Sequence, residues 1–110
     1  MKTKTDFITN SSSTAFIITN TSVHLRTLKD FVEENPQLIE EFNSDYGYDH
    51  TQDSLIASAE SNNEDFAGGE HKYCIFGDEQ GTLIGKVFDY ILRDGGTSEN
   101  FTWRFSEYLR

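Results

Sequence analysis

Cysteine and proline each occur once in this sequence of 110 residues. The single thiol, Cys74, has no partner for an intrachain disulfide, and it lacks the CxxC neighbour or spaced histidines of a zinc site. It lies in the apolar run Tyr-Cys-Ile-Phe, which assigns it to packing and fits a reducing cytoplasm. Long apolar runs are also missing. Nothing approaches the roughly 20 residues of a membrane helix, and polar residues separate "FI" from "AFII" near the N-terminus, so no secretory h-region forms there. The expectation is a soluble, cytoplasmic, unprocessed chain with no membrane partner.

The third scarcity is regional. From Asp30 to Glu70 there is no lysine or arginine, while Asp30, Glu33, Glu34, Glu40, Glu41, Asp45, Asp49, Asp53, Glu60, Glu64, Asp65 and Glu70 fall within it. All nine basic residues lie outside this block, and the net charge is -10. The middle third of the chain therefore projects a negative field. Such a protein meets repulsion at phosphates instead of the counterion release that drives nucleic-acid binding, which excludes direct contact with DNA or RNA.

What is present in quantity is aromatic side chains: nine Phe, five Tyr and one Trp. Each large ring buries roughly 150–250 Å², enough to build a core from a modest apolar fraction. Thr5–Ile8 and Ala15–Thr19 carry the β-branched and aromatic residues of strands, the second with Phe16, Ile17 and Ile18 in succession, as in a central strand. A helix is expected over residues 22–34, capped by Thr21 or Ser22 and turning Leu25, Leu28, Phe31 and Val32 inward. A second, capped by Asn35 with Pro36 first, buries Leu38, Ile39 and Phe42. "DSLIASAES" supplies a third, and "NNEDFAGGE" reads as loop. "HKYCIF" is a strand, residues 82–93 a strongly striped helix ending at Gly95 and Gly96, and Phe101, Trp103 and Phe105 alternate along a last strand. The fold class is α+β: a single small domain in the order ββααα-βαβ, with a mainly antiparallel sheet and helices packed on it. Its core should contain Phe16, Ile18, Ile75, Val87, Phe88, Ile91, Trp103 and Phe105.

Chemistry-bearing motifs are sparse. The run Asn10, Ser11, Ser12, Ser13, Thr14 has no G-x-S-x-G elbow and no histidine at hand, so serine catalysis has no support. Its hydroxyls and amides suit either a hairpin turn or a loop holding a small anion. The turn from Gly77 to Thr82 precedes a helix, where phosphates bind, yet Asp78 and Glu79 occupy it and the Lys-Ser/Thr pair of a phosphate loop is missing. Asp45, Asp49, His50 and Asp53 are metal-ligating types, but their spacing matches neither an EF-hand nor a zinc hydrolase. No catalytic residue, metal or cofactor is expected.

"KTDFITNSSSTAFIIT" resembles the opening of small uncharacterised proteins of bacteria and bacteriophages, with the pattern K-x-x-F-[IV]-[ST]-N-S-S-S-x-x-F-[IV]. Phe7, Ile8, Thr9, Asn10, Ser11, Ser12, Ser13, Phe16 and Ile17 fit it, and Thr14 and Ala15 stand where serines are usual. The ending "GTLIGKVFDYILRDGG...FTWRFSEYLR" is similar to the end of some of them. The resemblance carries no activity to transfer, and implies a phage or mobile-element setting.

Two readings of function follow. In one, the chain is a non-enzymatic binder that occupies a basic surface of a host protein, in the extreme by mimicking nucleic-acid phosphates, through Glu33, Glu34, Glu40, Glu41, Asp45, Asp49 and Asp53. In the other, it is a small-ligand or anion binder, or an enzyme, using Asn10, Ser11, Ser12 and Ser13 or the Gly77–Thr82 turn.

Overall fold

The computed structural model describes residues 13–77 and 81–109. Its elements, in chain order, are β1 (Ser13–Asn20), β2 (Arg26–Thr27), α1 (Leu28–Glu34), α2 (Gln37–Tyr46), α3 (Gln52–Ser61), β3 (Asp65–Phe66), β4 (His71–Gly77), α4 (Leu83–Ile91), a 3-10 turn (Leu92–Asp94), β5 (Gly96–Thr97) and β6 (Phe101–Leu109). The fold is α+β, and the sheet order is β4-β1-β6-β5 with every pairing antiparallel. β1 is central, as its apolar succession predicts, with Ala15, Phe16 and Ile18 fully buried. The expected strand at Thr5–Ile8 lies outside the described residues.

The core forms where the helices meet one face of this sheet. α4 packs against β4, α1 against α3, and both α2 and α3 against α4. At the centre is Phe31, whose ring meets Phe88, Phe101 and Trp103 edge-on at centroid distances of 5.5, 5.1 and 5.1 Å. Edge-to-face contacts of this kind add to the burial of the rings themselves. Phe16, Ile18, Val87, Phe88 and Trp103 are core residues as expected, and Ile91 and Phe105 pack against the core while partly buried. Ile75 is a correction, since it is 42% exposed. Within β4, Cys74 and Phe76 face the helices and Tyr73 and Ile75 the opposite side, because successive strand residues alternate faces and the register with β1 chooses which set goes in.

The helix expected over residues 22–34 is shorter. Ser22 is drawn out of helical geometry by Asn20, whose Oδ1 accepts from Ser22 N at 2.9 Å and Ser22 Oγ at 2.7 Å. Asn20 Nδ2 in turn donates to the carbonyls of His24 and Phe66 at 2.7 and 2.8 Å. Short polar side chains compete for local backbone groups in this way. α1 begins instead at a capping box, Thr27 Oγ1 accepting from Asp30 N and Asp30 Oδ2 accepting from Thr27 N. The T-x-x-D spacing was the signal in the sequence. Asn35, expected to cap α2, closes α1: its Nδ2 donates to Phe31 O at 2.9 Å, and Pro36 holds the capping position of α2. The stretch read as loop after α3 contains β3, which pairs with β2 as a separate two-stranded ribbon. α4 relaxes into the 3-10 turn and stops at Gly95, whose φ of 73° lies in the region that glycine tolerates.

Candidate functional site

Six of the seven carboxylates expected to form a binding surface are exposed: Glu33 on α1, Glu40, Glu41 and Asp45 on α2, Asp49 in the following loop, and Asp53 in the first turn of α3. They point outward because Leu38, Ile39, Phe42 and Leu55 take the opposite sides of α2 and α3 into the core. Glu40 and Asp53 also suit the positive ends of their helices. Among the described residues, the cation nearest any of the six is Lys29, 4.0 Å from Glu33 and 3.4 Å from Glu60.

The seventh, Glu34, has a structural task instead. Its carboxylate accepts from Asn100 N at 2.8 Å, from Asn100 Nδ2 at 2.9 Å, and from Ser98 Oγ, tying the end of α1 to the loop between β5 and β6. Partial burial acts to raise its pKa, but these hydrogen bonds, helped by the charge of Arg26, outweigh it and hold the carboxyl below its ordinary 4.5. A carboxyl whose native pKa is depressed contributes stability above its unfolded pKa and loses it as pH falls through the native one. Glu34→Gln is therefore expected to lower stability at pH 7 by about 1–2 kcal/mol, since hydrogen bonds to charged groups are worth more than neutral ones. The difference between variant and parent should shrink in acid, and urea melts at the two pH values check it.

Around the end of α2 the sequence places tyrosines among the acids. Gly47, with φ of 74°, reverses the chain after Tyr46. Asn43 then holds the loop, its Nδ2 donating to His50 O at 2.7 Å and its Oδ1 accepting from His50 N at 3.1 Å. This clamp brings Tyr48 and His50 back onto Phe42, with Tyr48 stacked on the Phe42 ring at 5.1 Å and 5° and on His50 at 5.2 Å. Tyr46 packs between Phe42 and Tyr90, at 5.3 and 5.1 Å. Tyr46 and Tyr48 nonetheless remain 48% and 41% exposed. Charge counting alone missed these two rings; the interleaving in "SDYGYDH" was the available signal. His50, weighed as a metal ligand with Asp45, Asp49 and Asp53, stacks on Tyr48 and Phe42, and among the described residues no three His, Cys, Asp or Glu side chains converge.

Of the ligand-loop residues, Asn10, Ser11 and Ser12 lie outside the described residues. Ser13 is buried in β1, paired with Gly77 and Leu109, so the strand begins earlier than the Ala15 expected. Its neighbour Thr14 donates to the buried Asp89 Oδ1 at 2.5 Å. In the Gly77–Thr82 turn, residues 78–80 lie outside the described residues. Thr82 borders two hollows of about 390 and 420 Å³. The amides that open α4 are engaged by hydroxyls, Gly85 N donating to Thr82 Oγ1 at 3.0 Å and Ile84 N to Ser58 Oγ at 3.1 Å. Those two donors are not offered to an anion. Cys74 is buried, and burial, reinforced by Glu64 and Glu70 against the opposing Lys72, pushes its thiol up to about 12. At neutral pH it is protonated and a poor nucleophile.

No helix among the described residues is long and apolar enough to cross a membrane. No protein-family model, no curated protein and no solved structure matches the chain.

Proposed function

We propose that this chain is a small non-enzymatic binding protein that occupies a basic surface of another protein, of a host if its setting is a phage or mobile element. The observation that carries the reading is the exposure of Glu33, Glu40, Glu41, Asp45, Asp49 and Asp53 on α1, α2, α3 and the loop between α2 and α3, with Lys29 the one cation paired to them among the described residues. Exposed like charges in this number gain little for the fold and steer association with an oppositely charged partner. Of the alternative, Asn10, Ser11, Ser12 and residues 78–80 lie outside the described residues, Ser13 is buried in β1, and two amides at the start of α4 are already engaged by hydroxyls.

The test uses the whole chain as bait, beside a variant carrying Glu33→Lys, Glu40→Lys and Asp49→Lys. A protein retained by the parent chain at about 50 mM salt should be lost by the variant and released as salt rises to about 500 mM, where screening shortens the reach of exposed charges to a few ångströms. With that protein purified, the association rate should fall on charge reversal more than the dissociation rate rises. Binding indifferent to both salt and charge reversal would leave the acidic residues with solubility alone.

A further inference from the structure

We propose that Tyr46, at the end of α2, is the anchor of this surface, a preformed platform that takes an arginine side chain of the basic partner. The proposal rests on the acidic-surface reading and narrows it to one place and one chemistry.

Three observations converge there. The ring is half exposed although it is held by Phe42 and Tyr90, and the loop after it is clamped by Gly47 and by both ends of the Asn43 side chain. An aromatic fixed in this way loses little freedom on binding, which is what distinguishes an anchor from an adaptable contact. Second, the exposed charges on the same helix and the loop after it are acidic. Glu41 and Asp45 are one turn apart on α2, alongside the row formed by Phe42 and Tyr46, and Asp49 follows in the clamped loop; all three are exposed. A partner group set over Tyr46 therefore meets carboxylates at its rim, which selects a cation. Third, the neighbouring rings already receive cations from the chain itself. Lys86 Nζ lies 4.2 Å from the centroid of Tyr48, and Arg93 Cζ 4.8 Å from that of Tyr90. Those two cations sit over Tyr90, which packs against Tyr46, and over Tyr48, which shares the Phe42 ring with it, whereas none of the chain's own is found over Tyr46 among the described residues. The faces of aromatic rings attract cations, and guanidinium, planar and more weakly hydrated than ammonium, stacks on them more often.

The occupant is thus an arginine-bearing segment of a protein, in preference to a lysine-rich one. The experiment titrates the full chain with hexa-arginine and hexa-lysine peptides at about 50 mM salt, following binding calorimetrically, and repeats it with Tyr46→Leu, Tyr46→Phe and the triple charge reversal. Tyr46→Leu keeps the helix and the apolar contact while removing the ring, and a melting curve shows whether it folds as the parent does. Hexa-arginine should bind more tightly than hexa-lysine. Tyr46→Leu should weaken hexa-arginine about three- to fivefold, the effect of an exposed cation–π contact, with hexa-lysine less affected, and Tyr46→Phe should retain the affinity. If both peptides bind equally and Tyr46→Leu changes neither, the platform is overturned while the acidic surface stands, provided the charge reversal still abolishes binding. If neither peptide binds the parent chain, the platform and the acidic-surface reading fall together.

Discussion

Replacing Phe31 by alanine is expected to cost about 3–5 kcal/mol. The side chain is fully buried and its ring is the point at which α1, α4 and β6 meet, through Phe88, Phe101 and Trp103. Truncation removes the transfer free energy of the ring and leaves a cavity walled by three other rigid rings, which relax into it poorly. Domains of this size are stable by about 5–15 kcal/mol, so the variant should sit near the edge of folding at physiological temperature. Urea melts followed by tryptophan fluorescence report it directly, because Trp103 is one of the walls. Phe31→Leu, which keeps most of the volume, should cost distinctly less. A loss below about 1 kcal/mol for the alanine variant would mean that α1 does not close over the sheet as described.

The second large effect concerns charge inside the fold. Asp89 is fully buried on α4, where Oδ1 accepts from Thr14 Oγ1 at 2.5 Å and from Arg93 Nη2 at 3.2 Å, and Oδ2 has no hydrogen-bond partner among the described residues. Arg93 also donates from Nε to Asp89 O at 2.6 Å and lies between the rings of Tyr90 and Tyr108, at 4.8 and 5.1 Å. Its removal leaves a buried carboxylate with one hydroxyl for company. Breaking a buried pair from one side costs several kcal/mol, and with Arg93 itself part-exposed the expected loss for Arg93→Met is about 2–3 kcal/mol. Asp89→Asn in the same chain should return much of that, since an amide accepts from Thr14 without needing a counter-charge. The double-mutant cycle should show a coupling of at least about 1 kcal/mol. Simple additivity would instead assign Arg93 only to its stacking on the tyrosines.

What could be read along the chain was whatever depends on near neighbours. The stripe Leu83, Ile84, Val87, Phe88 announces α4 because a helix returns to the same face every three or four residues, and "FTWRF" announces β6 because a strand returns every two. Composition likewise located the acidic block, and the apolar faces of α2 and α3 already implied that most of its carboxylates point outward. The sequence by itself therefore determined the types of the longer elements, the α+β class and the sign of the surface, but not the short strands β2 and β3.

The tertiary structure decided the rest, and each case turns on a partner distant in sequence. β4 presents two alternating sets, and its pairing with β1 more than 50 residues away sends Cys74 and Phe76 inward and Ile75 out. In β6 the register against β1 jumps between Ala15 and Phe16, pairing Phe16 with Phe105 but Ala15 with Glu107. This extra residue puts Tyr108 on the side of Phe105, within 4.8 Å of its ring, where simple alternation would have placed Glu107. Glu34 looked like one more surface acid until the β5–β6 loop, some 65 residues on, supplied its three donors. Tyr46 is held at the surface by Tyr90 of α4 as well as by Phe42 of its own helix, and only the fold brings Tyr90 there. Periodicity is a property of the chain alone, whereas which face is covered, and what a polar group finds there, depends on the segment brought against it.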